Sequence, residues 1–388
     1  MFKSIVENIK GDKYIWMIIL ALSAISLLAV YSSTRTLAYR YHAGDTEYYL
    51  FKHLFILSLG LMMVYLAHRI DYRYYSRIAQ LLLIISIPLL FYTIFFGVEL
   101  NDAKRWITLP IVNLSFQTSD LAKLSLIMYT ARTLSKRQGV VDSFQKAFVP
   151  VIIPILIVCG LIAPADLSSA AILFMTCLII MFIGRVNFKY IGATILGGAI
   201  VLGIIILIGY AFPGTTRMDT WVSRVNEFLN PDVISYQREQ ANIAIANGGI
   251  FRLAPGKSIQ CNFLPHSYSD NIYSTIIEEY GLTGGAFVLF LYLFLLWRVI
   301  RIIGKSPRAF GALLAVGLGM SLVIQALIHM GVNVGILPVT GLTLPLVSMG
   351  GTSIWFNGIA LGIILSVSVH IEEREERMQE AKNNLVTN

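Results

Sequence analysis

Residues 257–285 read K-S-I-Q-C-N-F-L-P-H-S-Y-S-D-N-I-Y-S-T-I-I-E-E-Y-G-L-T-G-G. The stretch starts as a polar loop punctuated by Pro265 and ends in the first turns of a long apolar run. Asp270 sits at that junction, and Glu278 and Glu279 lie further into the run. A carboxylate at the mouth of a membrane helix is costly unless it has a task or a partner. Asp270 therefore reads either as a helix N-cap, with Thr275 and Glu278 offering a capping-box pattern nearby, or as a chemical group.

The rest of the chain says that this run crosses a membrane. Of 388 residues, 56% are hydrophobic and 13% charged, against roughly 45–50% apolar and about 25% charged in soluble domains. The mean hydropathy is +0.71. Apolar runs recur at 15–34, 50–67, 78–96, 118–134, 147–163, 167–184, 190–210, 273–303, 309–331 and 350–370. Such runs suit a hydrocarbon core of about 30 Å. The expected fold class is an all-α polytopic membrane protein of about ten transmembrane helices. The net charge of +8 fits loop cations and anionic lipid, with no nucleic acid as partner. The first apolar run is followed by no A-x-A site, so no cleaved leader is expected. Cys159 and Cys177 lie in apolar runs and Cys261 in a loop, which predicts no disulfide framework.

Loop charge sets the orientation. One set of connections carries Lys3, Lys10 and Lys13, then Arg69, Arg73 and Arg77, then Arg132, Lys136, Arg137 and Lys146. It continues with Arg185 and Lys189, and with Arg298, Arg301, Lys305 and Arg308. The alternate connections are poorer in Lys and Arg, which places the first set and both termini in the cytoplasm. The large hydrophilic segment, about 211–271, then faces outward between the seventh and eighth helices, with a helical pattern at 221–229. Residues 1–370 read as one transmembrane domain. Residues 371–388 read as a charged cytoplasmic tail with Glu373 and Arg377 at i,i+4.

Polar clusters gather at the outward ends of the spans. Lys104 and Arg105 are adjacent cations beside Trp106. They suit a diphosphate or, alternatively, an interfacial anchor with snorkelling cations. Gln117 reads as a substrate contact or a helix cap. Asp120 and Lys123, at i,i+3, read as a substrate-facing pair or as a self-neutralising one. Asp166 opens a helix and is an N-cap candidate. Gln237 lies in Y-Q-R-E-Q, and Lys257 and Ser258 follow Pro255-Gly256. There is no Walker spacing and no G-x-G-x-x-G, so a nucleotide site is rejected. No nucleophile elbow or zinc-ligand spacing occurs. His329 and Asn333 share a helix face and read as a polar pair between helices.

In this order, these clusters resemble the SEDS family (shape, elongation, division and sporulation), which takes in FtsW, RodA and SpoVE. The resemblance runs from Tyr14 to His370. It is carried by K-R-W-I at 104–107, Q-T-S-D-L-A-K-L at 117–124, A-D-L-S-S-A at 165–170 and L-P-H-S-Y-S-D-N-I-Y at 264–273. It is also carried by N-V-G-I-L-P-V-T-G-L-T-L-P-L-V-S-M-G-G-T-S at 333–353. L-T-L-P at 342–345 looks more like FtsW than RodA. His266 and Tyr268 stand where the family has Glu and His, and Asp120 where it has Glu.

The resemblance implies an inner-membrane polymerase of peptidoglycan glycan strands, fed by lipid II on the periplasmic face and serving septal synthesis. It makes Asp270 the catalytic residue. The growing glycan strand, a class B penicillin-binding protein (a transpeptidase) and other divisome membrane proteins are the implied partners. The substrate-binding candidates are Lys104, Arg105, Trp106, Gln117, Asp120, Lys123, Asp166, Gln237, Lys257, Ser258, Glu278 and Glu279. No cofactor is certain, and the sequence leaves open whether Mg²⁺ or Mn²⁺ shares the charge work. A lipid II flippase, a RodA-type elongation polymerase and a transpeptidase scaffold are the rival readings. A flippase needs polar groups through the full bilayer depth, whereas here they gather at one end.

Overall fold

The computed structural model describes residues 10–41, 44–100, 103–109, 114–211, 218–230, 235–252 and 254–386. Helices α1 (Lys13–Ser33), α2 (Arg35–Tyr41), α3 (Thr46–Arg69) and α4 (Tyr72–Phe96) open the chain. A small antiparallel sheet follows, β1 (Val98–Leu100), β2 (Ala103–Leu109) and β3 (Leu114–Gln117), in that spatial order. Then come α5 (Thr118–Lys136), α6 (Val149–Ile162), α7 (Leu167–Ile183) and α8 (Phe188–Ala211). Two shorter helices, α9 (Met218–Leu229) and α10 (Tyr236–Gly248), lie in the large loop. Helices α11 (Ile272–Lys305), α12 (Ala309–Asn333) and α13 (Ser353–Val386) complete the bundle.

Seven helices among the described residues are long and apolar enough to cross a membrane, and two apolar ones are shorter, Leu167–Ile183 and Phe188–Ile204. Helix α5 falls where the fourth span was expected but carries Asp120 and Lys123 in its first turns. The all-α expectation needs one correction. The segment between α4 and α5 is a three-stranded sheet, in which β2 and β3 pair Trp106 with Gln117 and Ile107 with Phe116. Its signal was short: a few β-branched and aromatic residues among charges.

Aspartates start several helices. Asp12 accepts from the backbone N–H of Tyr14 at 3.0 Å, Asp45 from Tyr48 at 3.1 Å and Asp71 from Arg73 at 2.9 Å. Each satisfies an otherwise orphan donor at a helix N-terminus. Packing in lipid depends on close approach and on satisfied polar groups, because the solvent is as apolar as the core. Gly358 and Gly362 of α13, a G-x-x-x-G pair, face α3 so closely that a Cβ would fall 2.6 Å from the Gly60 carbonyl oxygen and 2.4 Å from that of Val64.

The end carrying both described termini is held by charge. Arg298 of α11 meets Asp12 at 2.5 Å, the Gly11 N–H donates to Glu372 at 3.0 Å, and Lys305 pairs with Glu375 at 2.9 Å. Helix α13 runs without a break from the bundle into the charged tail. The three cysteines are free.

Helix α11 breaks at Gly281, where φ is 71° and ψ is −177°. This is a region that glycine alone occupies readily. The break is filled from the large loop: the N–H of Leu282 donates to the Gly249 carbonyl at 2.9 Å, and that of Thr283 to Ile250 at 3.3 Å. A Cβ at 281 would meet the Ile250 carbonyl oxygen at 2.6 Å. Gly281→Ala is therefore expected to cost about 1–3 kcal/mol. Gly304 lies in the same helix with nothing within 4 Å of a built Cβ, so Gly304→Ala should gain up to about 1 kcal/mol. Thermal unfolding in detergent checks the pair, and equal effects would contradict this account of the kink.

Candidate active site

The connections at the end of the bundle opposite the charged clamp converge on one cavity of about 710 Å³. Arg105 and Trp106 come from β2, Gln117, Asp120 and Lys123 from the start of α5, and Asp166 from the start of α7. Arg224 comes from α9, and His266, Tyr268 and Asp270 from the loop before α11. Residues 340–343 and 349–353 close one side. Leu124, Ile127, Leu318 and Leu322 line the depth, broken by Ser321, Gln325 and Asn357. Leu318 lies fifteen residues before the end of α12, about 22 Å at 1.5 Å per residue.

Asp270 does not cap its helix. The N-cap of α11 is Asn271, whose amide donates to the Pro265 carbonyl at 2.7 Å and accepts from Gln237 at 3.2 Å. What fixes Asp270 is its backbone. The Asn333 side chain at the end of α12 donates to the Asp270 carbonyl and to the His329 carbonyl, both at 2.9 Å. The same side chain accepts from Ser274 N–H at 3.2 Å and Ser274 Oγ at 2.9 Å. Ser348 donates to the Ser269 carbonyl at 2.7 Å, and the Met349 N–H to that of Tyr268 at 2.9 Å. The carboxylate is left to face the cavity, 3.6 Å from where a Cβ at Gly341 would stand. Burial pushes the Asp270 carboxyl up from its ordinary 3.8; the charge of His266, the Ser269 side chain, Arg105 and Arg224 oppose this.

The other charges in the cavity are mostly spent. Lys123 Nζ lies 3.1 Å from Asp120, and the second Asp120 oxygen is buried without a hydrogen bond. Asp166 caps α7 through the Ser169 N–H at 2.9 Å and also pairs with Arg105 at 3.1 Å, so it is both a cap and an ion-pair partner. Arg105 further donates to the Ala165 carbonyl at 2.8 Å. Gln117 donates to Ser119 at 2.9 Å and gives its helix no side-chain cap.

Of the sequence candidates, Arg105, Trp106, Gln117, Asp120, Lys123, Asp166 and Asp270 are brought together here. The Lys104 side chain lies outside the described residues. Ser258, Glu278 and Glu279 form a separate buried cluster. Glu278 accepts from Ser258 Oγ and from the N–H groups of Ile259 at 3.0 Å and Gln260 at 3.2 Å; Glu279 accepts from Ser32 Oγ. There the two carboxylates tie the 258–260 loop and α1 to α11, away from the cavity. Lys257 is exposed outside the cavity, and Gln237 reaches the site only through Asn271. Among the described residues, no three His, Cys, Asp or Glu side chains are placed to hold a metal ion. Asp120 and Asp166 already engage cations of the protein.

Arg224 was missed by sequence reasoning. A signal existed. Trp221, Val225 and Phe228 make an apolar stripe on α9, and Arg224, three residues after Trp221, lies on that stripe.

Apolar helices long enough to cross a membrane, with a carboxylate set among cations in a cavity at one end, define a class of multi-pass integral membrane protein. The chain belongs to the cell cycle protein family of FtsW, RodA and SpoVE, whose model matches residues 12–373. It is 31% identical over 369 residues to a protein of Coxiella burnetii named a probable peptidoglycan glycosyltransferase FtsW, covering 93% of this chain and 97% of that one. Among solved structures, it resembles the rod shape determining protein RodA of Thermus thermophilus, with a TM-score of 0.67 at 25% identity over 92% of this chain and 96% of that chain. It also resembles a chain of a peptidoglycan synthase complex that coordinates polymerization and crosslinking, with a TM-score of 0.73 at 25% identity, covering 92% and 98%.

Two outcomes follow from the geometry. Asn333→Ala would strip Asp270 and Ser274 of their buried partner and should cost about 1–3 kcal/mol, read by thermal unfolding. Asp270 has a carboxyl whose pKa rises on folding, so its ionised form burdens the folded state at pH above 3.8 and not below it. Asp270→Asn should then be at least as stable as wild type at pH 7, with the gap closing toward pH 4. A variant much less stable at pH 7 would contradict this.

Proposed function

We infer that this protein polymerises peptidoglycan glycan strands from lipid II by inverting glycosyl transfer. The observation that carries the reading is the cavity that Asp270 shares with Arg105, Lys123 and Arg224. The family membership and the glycosyltransferase name of the Coxiella relative support it.

In the reaction, the C1–O bond to the lipid diphosphate breaks as the 4-hydroxyl of a GlcNAc unit attacks the opposite face of C1. A sugar hydroxyl is a weak nucleophile at neutral pH, and the Asp270 carboxylate takes its proton. Base and leaving group stand on opposite sides of the ring, as inversion requires. The departing diphosphate carries the charge away and is met by the cavity cations. Asn333 holds the Asp270 carbonyl, and Ser348 and Met349 hold those of Ser269 and Tyr268 before it, which keeps the base in place.

The bundle is read as ten crossings with both termini cytoplasmic, residues 1–370 as one domain and 211–271 as an extracytoplasmic loop. Supporting this, the cavity belongs to the connections poor in Lys and Arg, and the opposite end carries Arg298 and Lys305. The site then faces the periplasm across the inner membrane. The charged groups of the cavity lie on its outer connections and the first turns of α5, while its depth carries Leu124, Ile127, Leu318 and Leu322 with only the neutral Ser321, Gln325 and Asn357 among them. This favours chemistry at one face over a flippase with a polar path through the bilayer. A class B penicillin-binding protein and other divisome proteins are the proposed partners, in keeping with the solved synthase complex. The L-T-L-P form at 342–345 favours septal synthesis over elongation.

The test gives labelled lipid II to purified protein with its cognate transpeptidase. Wild type should form strands, and Asp270→Asn should lose about two or more orders of magnitude in rate. Equal rates would remove Asp270 from the chemistry. The base must be ionised, so activity should fall as pH drops through a value above 3.8. His266→Gln removes a charge that lowers the Asp270 pKa, and should move this acid limb to higher pH; an unmoved limb would contradict the coupling.

A further inference from the structure

Three cations and three carboxylates with described side chains face the cavity, and two pairs account for four of them. Lys123 is paired with Asp120 and Arg105 with Asp166, each at 3.1 Å. Among the described residues, Arg224 and Asp270 are left without an ion pair. Arg224 is half-buried and stands on α9, outside the bundle helices. Glu227, one turn on, takes a hydrogen bond from Ser223 at 3.4 Å and makes no ion pair with Arg224. The helix is latched at its far end. Arg238 of α10 lies 5.8 Å from the centre of the Phe228 ring and donates to the Gly335 carbonyl at 3.0 Å.

Burying a guanidinium without a partner is costly. Desolvation and the like charge of Arg105 pull the Arg224 pKa down, against the pull of Asp166, Asp270 and Glu227. A cation held in this way is stabilised by any anion that enters, and a guanidinium meets a phosphate with two parallel hydrogen bonds. Arg105 is differently placed, because its charge is already paired with Asp166 and two of its five N–H donors go to Asp166 and the Ala165 carbonyl.

We propose that Arg224 is the residue that receives the diphosphate of the polyprenyl-linked substrate, and that α9 carries it over the cavity for that purpose. The proposal rests on the glycosyl-transfer reading and moves the main diphosphate contact from the Lys104–Arg105 pair to the outer loop. Asp270 stays unpaired to act as base; Arg224 stays unpaired to bind the leaving group.

The test uses the full chain in phosphatidylcholine vesicles. Competition against fluorescent lipid II compares undecaprenyl diphosphate with undecaprenol, which lacks the charge. Wild type should prefer the diphosphate, R224Q should lose roughly ten- to hundredfold of that preference, and R224K should keep part of it. A purely structural role would lower binding of both competitors alike and would overturn the proposal. If R224Q does not fold, phenylglyoxal labelling of wild type reads the same contact by mass spectrometry. Undecaprenyl diphosphate should protect Arg224, and undecaprenol should not. Equal labelling, or equal protection by vesicles containing phosphatidylglycerol alone, overturns the assignment in favour of no contact or of a bilayer headgroup. The two readings separate cleanly. If D270N abolishes polymerisation while R224Q keeps the diphosphate preference, only the Arg224 assignment falls. If wild type forms no strands, the glycosyl-transfer reading falls first.

Discussion

One side-chain amide joins the loop that carries Asp270 to the bundle. Asn333 uses both of its donors and both lone-pair directions of its oxygen, on Asp270, His329 and Ser274. A fully satisfied amide in a low-dielectric interior is held strongly, because any displacement leaves buried groups unpaired. Asp270 is thus fixed through its backbone, and its carboxylate caps no helix and closes no ion pair among the described residues. Its lone pairs therefore stay available to whatever enters the cavity.

The segment between α12 and α13 has no regular structure, yet it lies against the bundle interior. Irregular backbone is tolerated at such depth only where its polar groups find partners. Here side chains of several helices supply them. Gln325 donates to the Thr343 carbonyl at 2.8 Å, His329 Nδ1 lies 2.7 Å from that of Leu342, Tyr292 donates to Pro345 at 2.5 Å and Ser26 to Val347 at 2.8 Å. The long motif at 333–353 is therefore a support for the site more than a source of reacting groups. Its residues hold the loop that holds Asp270.

Charge is distributed unequally between the two ends. At one end Asp12, Arg298, Lys305 and Glu375 are tied into pairs that pin the tail helix to α11 and the amino-terminal segment. At the other, two pairs form and two groups stay open. Ionisable groups near a membrane interior are costly, and this sets the open Arg224 and Asp270 apart from the paired charges around them.

Much of this was legible beforehand. Apolar runs the length of a bilayer marked the helices, because hydrocarbon thickness dictates their length. Asp120 with Lys123 was readable because helical spacing alone brings i and i+3 together. The family motif pointed to Asp270 by number. The sheet at 98–117 was hidden by its shortness, and Glu278 with Glu279 looked like site residues because acids in an apolar run look alike whatever they face. Residue pattern alone was enough for the membrane class and for most of the helices. Only the tertiary structure decided which charges cancel, since ion pairs such as Arg105 with Asp166 form across 61 residues of chain and no local pattern encodes that distance.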